Sequence, residues 1–352
     1  MHLDLIKFLK YKPIAKPMYK GKFCKMPFEA IQIDQDGDVM LCGCADHMPY
    51  VIGNIYKDTL QNMWLNKKAS QIRQAVVDED FTYCHWACPM LSSLKDRPEI
   101  LPTLVDFPKI IKLDMDRSCN LQCPSCREHI IIEKYSSRIK RQIEIFNEVT
   151  QWAKANPTKQ ISMWPVASGE IFASHSGLEF LQSLVDYPYN NIRLTISTNG
   201  TLINKNKELI KNIKHLINDF TVSIDAATPE TYSIVRGGDW QELMSGLEFI
   251  NSLHLSSRSR YNFVIQKNNC HEIKEFAELC RKFYASASYQ KLCNWGHWNK
   301  SWWDKNDIFV QDQSSCDQVF DDIKQIREKY PNYITLGSGS LINDFRKYLA
   351  KT

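Results

Sequence analysis

Residues 110–126 read IIKLDMDRSCNLQCPSC. Ile111, Leu113 and Met115 alternate with Lys112 and Asp114, which is the period of a half-buried strand, and the strand runs directly into a loop carrying Cys119, Cys123 and Cys126. Three thiolates spaced Cys-x3-Cys-x2-Cys can hold three irons of a [4Fe-4S] cluster and leave the fourth open to a substrate or cofactor. A zinc site completed by His129 is the other reading of this spacing, disfavoured because His129 would fall on the helix that follows.

Outward from this stretch the hydrophobic period switches regularly between two and 3.6. Ile139, Ile143, Phe146 and Val149 keep helical spacing, and Ile161 to Val166 forms a second strand. Leu178, Leu181 and Val185 share a helix face; Ile192, Leu194 and Ile196 alternate as a third strand, ended by the turn pair Asn199-Gly200. A helix with Leu209, Ile213 and Leu216 precedes a fourth strand with Phe220, Val222 and Ile224. Pro229 suits a helix start, and Trp240, Leu243, Leu247 and Ile250 continue as a further helix. Tyr261, Phe263 and Ile265 give strand five, a helix covers His271 to Tyr284, and a weaker sixth strand runs from Tyr289 to Asn294. Strands joined by crossover helices pair in parallel and carry their chemistry at the carboxyl ends. The expected class is therefore α/β: a partial (β/α)6 barrel over residues 107–300, a carboxyl-terminal extension over 301–352 with helices near Ser315 to Tyr330 and Leu341 to Ala350, and a small α+β module ahead of the barrel over residues 20–100.

Composition narrows the function. The 352 residues are 43% hydrophobic and 24% charged, an ordinary globular balance that excludes long disordered tails and a collagen-like fibre. No uncharged apolar run approaches the ~18 residues of a membrane span, and Lys7, Lys10 and Lys12 interrupt the apolar amino terminus, so the expected location is cytoplasmic, with no membrane partner. Basic residues exceed acidic ones by 44 − 40 = 4, spread along the chain, and nucleic acid is not indicated. Twelve cysteines are many for such a protein. Without an export signal they point to metal or redox chemistry rather than disulfides. Cys280, inside an apolar helical pattern, reads as core; Cys270, Cys293 and Cys316 acquire no role.

CNLQCPSC after a first strand resembles the radical S-adenosylmethionine (SAM) enzymes. The resemblance implies that Cys119, Cys123 and Cys126 bind a [4Fe-4S] cluster whose unique iron chelates SAM. Later strand ends agree with it. Gly169 and Glu170, in the Ala-Ser-Gly-Glu segment after strand two, are similar to the family's Gly-Gly-Glu segment at the methionine amino group. Ser197 and Asn199, in Ser-Thr-Asn-Gly after strand three, resemble the stretch near the ribose. In VSIDAATPETYSIVRGG the likeness implies Ser223 and Arg236 as holders of the SAM carboxylate and Asp225 as the catalytic neighbour of cofactor or substrate. Taken singly, each polar residue reads equally well as a cap or turn former. The implied chemistry is reductive cleavage of SAM to a 5′-deoxyadenosyl radical that abstracts hydrogen from a peptide, protein side chain or small metabolite, with a reducing partner such as flavodoxin or ferredoxin. Gln266, Asn294 and His297 follow strands five and six and face the substrate side of such a barrel. Among Trp295, Trp298, Trp302 and Trp303, binding surface and simple barrel cover are equal readings.

The amino-terminal module has its own cysteines, Cys24, Cys42, Cys44, Cys84 and Cys88. Ile31, Ile33, Val39 and Leu41 suggest a hairpin turned at Gly37, followed by a helix near Thr59 to Leu65. Asp34, Asp36 and Asp38 imitate a calcium loop, but Ala45 stands where its glutamate belongs, leaving a turn. Cys24, Cys42, Cys84 and Cys88 can fill one site, iron–sulfur or zinc. GDVMLC and GNIYKDTLQNMW resemble the Twitch or SPASM auxiliary cluster domain, which implies a second [4Fe-4S] cluster, with Cys44 as the alternative to Cys42.

Overall fold

The computed structural model describes residues 19–351 apart from 44–47, 49, 86, 87, 89, 92, 93, 102, 294–297 and 338. Cys44, Asn294, Trp295 and His297 lie outside the described residues. The chain divides into two compact units: residues 1–117, 133–169 and 175–194, and residues 118–132, 170–174 and 195–352.

In the first unit, β1 (Lys22–Phe23) is followed by β2 (Ala30–Ile33), β3 (Asp38–Leu41) and β4 (Val51–Asn54), then α1 (Leu60–Leu65), α2 (Lys67–Val77), β5 (Lys95–Asp96) and β6 (Ile110–Leu113). α3 (Ser137–Ala155), β7 (Ile161–Trp164), α4 (His175–Ser183) and the start of β8 (Ile192–Thr198) complete it. The expected hairpin is present: β2 and β3 pair antiparallel, with Ile31 opposite Leu41 and Ile33 opposite Val39. Gly37 turns it at φ +79°, and Asp34 accepts from the backbone N–H of both Asp36 and Asp38 at 2.9 Å, so the aspartates build a turn. β2 also pairs in parallel with β6, β6 with β7, and β7 with β8. The hairpin thus extends the parallel strands, a pairing the local sequence pattern does not contain. Helix starts follow from side-chain caps: Thr59 for α1, Asn66 for α2 and Ser136 for α3 each accept a first-turn N–H. α3 buries Ile139, Ile145, Phe146 and Val149, and Phe146 stacks on Phe180 of α4 at 4.3 Å.

The second unit takes the end of β8, then α5 (Lys207–Ile213), β9 (Ile217–Ser223), α6 (Pro229–Val235), α7 (Trp240–Ser252), β10 (Ser259–Ile265), α8 (Ile273–Lys282) and β11 (Ser286–Lys291). α9 (Lys300–Asn306), α10 (Ile308–Gln311), α11 (Gln313–Lys329), β12 (Ile334–Leu336) and α12 (Gly339–Leu349) follow. Pro229 opens α6 as expected, with Thr228 as its cap. β9, β10, β11 and β12 pair in parallel, so the parallel run continues one strand past the expected sixth. The sixth strand itself starts three residues earlier than its hydrophobic pattern suggests, because Ser286, Ala287 and Ser288 are small and supply no apolar alternation. The helices expected to reach Val185 and Leu216 end at Ser183 and Ile213; Leu216 is buried in the turn that follows. Along β10, Tyr261, Phe263 and Ile265 are buried, Phe263 meeting Phe276 of α8 at 4.8 Å; Asn262 and Val264 occupy the other face. No described helix is long and apolar enough to cross a membrane.

Candidate SAM and iron–sulfur sites

The triplet loop belongs to the second unit. Cys119 N–H donates to the Ile131 carbonyl at 2.7 Å, and Cys126 N–H to the Cys123 carbonyl at 2.9 Å, so the backbone folds the loop back on itself. Cys119, Leu121 and Cys123 form a small buried cluster, with Cys126 packed against it. Burial pushes the Cys119 and Cys123 thiols up; opposing it most strongly are the guanidinium of Arg127 at Cys119 and that of Arg236 at Cys123. Arg127 Nη2 also approaches Cys126 Sγ at 3.6 Å, and Asn199 Nδ2 approaches Cys119 Sγ at 3.7 Å. Three soft donors beside two fixed cations fit an anionic iron–sulfur cluster. Among the described residues no group of three or more His, Cys, Asp or Glu side chains is arranged to hold a metal ion. That is compatible with a cluster, whose thiolates bind separate irons and need not converge on one point.

Around the loop lie the residues expected for SAM. Glu170 is buried and accepts from Thr198 Oγ1 (2.8 Å), Phe172 N–H (3.1 Å) and Asn199 N–H (2.5 Å). Burial raises its carboxyl to about 6, and those three donors hold the shift down. Asn199 donates to Asn120 Oδ1 at 2.9 Å and accepts from Thr201 through both its backbone N–H and its hydroxyl. Gly200, at φ +85°, passes so close to Leu243 that a Cβ would lie 2.4 Å from its Cδ1, which fixes the turn after β8.

Asp225 also has a positive φ, +61°, and is 1% exposed. Its two carboxylate oxygens are taken by Arg236 Nη1 at 2.9 Å and Val264 N–H at 2.7 Å, while Asn269 Nδ2 holds its carbonyl. Burial of Arg236 is outweighed by the Cys123 thiol and Asp225, which hold the guanidinium above its ordinary value. The buried polar atoms without a partner among the described residues include Arg236 Nε, Tyr232 Oη, Asn262 Oδ1, Ser197 Oγ and Gln266 Nε2. Unpaired buried polar atoms are costly, and a polar ligand would satisfy them. Ser223 ends β9 half-buried beside Asn262 in the register; Gly169 lies in the first unit's share of the chain. Sequence reasoning missed Arg127, Asn120, Thr198 and Asn269. Adjacency to Cys126 was the available signal for Arg127, whereas the other three are recognisable only through their partners.

In the first unit, Cys24 sits in a buried cluster with Phe23, Phe28, Val76, Phe81 and Leu91, and Cys84 and Cys88 pack against it. Burial raises the Cys24 and Cys84 thiols, Cys84 to about 12, and the neighbouring thiols raise them further. Cys42 is not a member of that cluster. It follows β3 at φ +73° and approaches Met48 Sδ at 3.7 Å. Cys280 is core, as expected; Cys316 is buried and donates to the Ile308 carbonyl, Cys293 is exposed, and Trp298 stacks on Trp302 at 4.8 Å.

Residues 115–280 match the Radical SAM superfamily, and residues 24–89 match the SPASM iron–sulfur cluster-binding domain. The chain is 26% identical over 171 residues to a GTP 3',8-cyclase of Alkaliphilus metalliredigens, covering 48% of this chain and 51% of that protein. It is 25% identical over 186 residues to an AdoMet-dependent heme synthase of Oleidesulfovibrio alaskensis, covering 51% and 44%. The matches thus span about half the length of these curated relatives. Among solved structures, SuiB of Streptococcus suis bound to S-adenosylmethionine is similar at 14% identity and a TM-score of 0.47, over 77% of this chain and 56% of that one. The first domain implies a [4Fe-4S] cluster with SAM, and the second a further iron–sulfur cluster. Residues 115–280 thus form a radical SAM domain, with a SPASM iron–sulfur domain ahead of it over residues 24–89.

Proposed function

We propose that this chain cleaves SAM reductively and uses the resulting radical to abstract hydrogen from a peptide or protein side chain. The observation that carries the reading is the grouping of three thiols with the guanidiniums of Arg127 and Arg236, whose Nε is buried and unpartnered among the described residues. Cys119, Cys123 and Cys126 hold the first cluster; Cys24, Cys42, Cys84 and Cys88 hold the auxiliary one. When bound, the first cluster supplies the electron that splits SAM into methionine and a 5′-deoxyadenosyl radical.

The remaining work belongs to the chain. Glu170, fixed by three donors, accepts from the SAM amino group, with Gly169 leaving its backbone open beside it. Arg236 Nε and Ser223 donate to the SAM carboxylate. Asp225 acts through Arg236: with both oxygens engaged it orients the guanidinium rather than moving a proton. Ser197 and Asn199 line the ribose side, and Gln266, with its free amide, Asn294 and His297 contact substrate. Such fixed donors act by positioning, since the cofactor carries the difficult bond cleavage. An electron donor such as flavodoxin or ferredoxin completes the cycle.

The SPASM domain favours a peptide or protein substrate. A small metabolite is the second reading, favoured by the curated relatives, named as a GTP cyclase and a heme synthase. Anaerobic reconstitution followed by mass spectrometry tests the proposal: about eight irons per chain with sulfide, and formation of 5′-deoxyadenosine from SAM under reductant, are expected. Zinc without sulfide would sink it. A precursor peptide that loses hydrogen during turnover would decide for the first substrate class; conversion of a nucleotide or porphyrin would decide for the second.

A further inference from the structure

Arg73 of α2 is a buried cation, 4% exposed, in the first unit. Its Nε donates to the Pro27 carbonyl at 2.9 Å and its Nη1 to the Trp64 carbonyl at 2.8 Å, while the guanidinium lies 4.0 Å from the Trp64 ring centroid. Its Nη2 is buried and has no partner, and no carboxylate pairs with it among the described residues. Among the described residues, the charge that opposes its burial is that of Cys42. A guanidinium removed from water without a counter-ion is costly, and evolution of such a site makes physical sense when an anion belongs there.

The surroundings say which anion. Pro27, held by Arg73 Nε, lies between Cys24 and Phe28 in sequence, and Phe28 belongs to the buried cluster that gathers Cys24, Cys84 and Cys88. Val76, one turn along α2 from Arg73, is in the same cluster. Arg73 therefore packs against the Pro27 carbonyl, three residues after Cys24, on the helix that gives Val76 to the thiol cluster, with its Nη2 uncommitted. We propose that Arg73 Nη2 donates to the auxiliary cluster or to the Cys42 sulfur that would hold it, and sets its reduction potential. The inference rests on the reading that these cysteines bind that cluster, with Cys42 rather than Cys44 as the fourth ligand. Reduction adds negative charge to the cluster, and a fixed cation in a low-dielectric site favours the more negative state. Arg73 thus makes the auxiliary cluster easier to reduce.

The test uses the full chain with Cys119, Cys123 and Cys126 all replaced by Ala, so that only the auxiliary cluster is present, reconstituted anaerobically. EPR-monitored redox titration of this protein is compared with the same protein carrying Arg73→Met or Arg73→Lys. Expected is an unchanged content of about four irons, a midpoint potential shifted negative in Arg73→Met, and an intermediate value in Arg73→Lys, which keeps the charge but not the guanidinium fork. Equal potentials at equal iron content overturn the proposal. Where Arg73→Met does not load, Arg73→Lys decides: a negative shift supports the assignment, and an unshifted potential or loss of its iron overturns it. Cys42→Ser in the same background separates the two claims. Full iron and an unaltered EPR signal in that variant would remove Cys42 from the ligand set. A disrupted cluster there, beside unshifted Arg73 variants, would leave the ligand set standing and reject only the tuning role.

Discussion

Each compact unit holds an arginine whose charge acts on a cysteine, buried Arg73 on Cys42 and half-buried Arg236 on Cys123, and the two arginines are compensated differently. Arg236, in the second unit, is locked to Asp225 at 2.9 Å and still has an influence on Cys123. Arg73, in the first unit, has carbonyl oxygens and an aromatic face but no carboxylate among the described residues. The ion pair compensates the Arg236 guanidinium within the protein while leaving its Nε without a partner among the described residues. The amino-terminal site lacks that compensation, and burial together with neighbouring Cys88 raises the Cys24 and Cys84 thiols, so its electrostatic balance depends on what it binds.

That comparison can be broken most directly by removing one thiol from each site. Cys126→Ala is expected to abolish 5′-deoxyadenosine formation and to lower iron from about eight to about four per chain; an equally active variant would mean that the triplet is not the cofactor site. Cys88→Ala is expected to remove a similar amount of iron from the auxiliary site alone, with SAM still cleaved. Loss of all iron in that variant would show instead that the two sites do not assemble independently.

Smaller effects sharpen the contrast between the arginines. Arg236→Met strands the buried Asp225 carboxylate and should cost about 3 kcal/mol of folding stability, read as a lower denaturation midpoint in urea. Adding Asp225→Asn should recover part of the loss; a double variant no better than the single would argue against the ion pair as its cause. A pH effect is smaller again. Glu170 has a folded value of about 6 against an ordinary 4.5, so the folded state binds more protons than the unfolded state between those limits. Stability from this group is greatest below pH 4.5 and falls as pH rises to about 6, by roughly 2 kcal/mol. Urea titrations of wild type and Glu170→Gln at pH 4.5 and 6.5 should show wild type losing ground to the variant by about that amount. A difference that does not change with pH would place Glu170 ionised throughout.

The parts of the fold that could be read in advance share a physical reason. Where one face of an element is buried, period identifies it: Phe220 and Val222 in β9, or Leu243, Leu247 and Ile250 in α7. Strand β11 was displaced because Ser286 and Ser288 are buried or half-buried without being apolar. The three-residue β12 and the parallel pairing of β2 with β6 could not be read, since a short strand has too few alternations and pairing is a long-range choice.

By itself the sequence determined the chemistry: the thiol spacing from Cys119 to Cys126, the order of strands and helices, and the residue types offered at each strand end. These are local properties, fixed by spacing and period. Only the tertiary structure decided which of those groups are free to act. Asp225, read from sequence as catalytic, has both oxygens occupied, whereas Ser197 Oγ, Gln266 Nε2 and Arg236 Nε are among the buried atoms left without a partner in the described residues. Arg73, unremarkable in a helical run of polar residues, becomes a buried cation only when α2 packs it against Trp64 and Pro27. Hydrogen-bond partners and burial depend on residues tens of positions apart, and no window of sequence contains them.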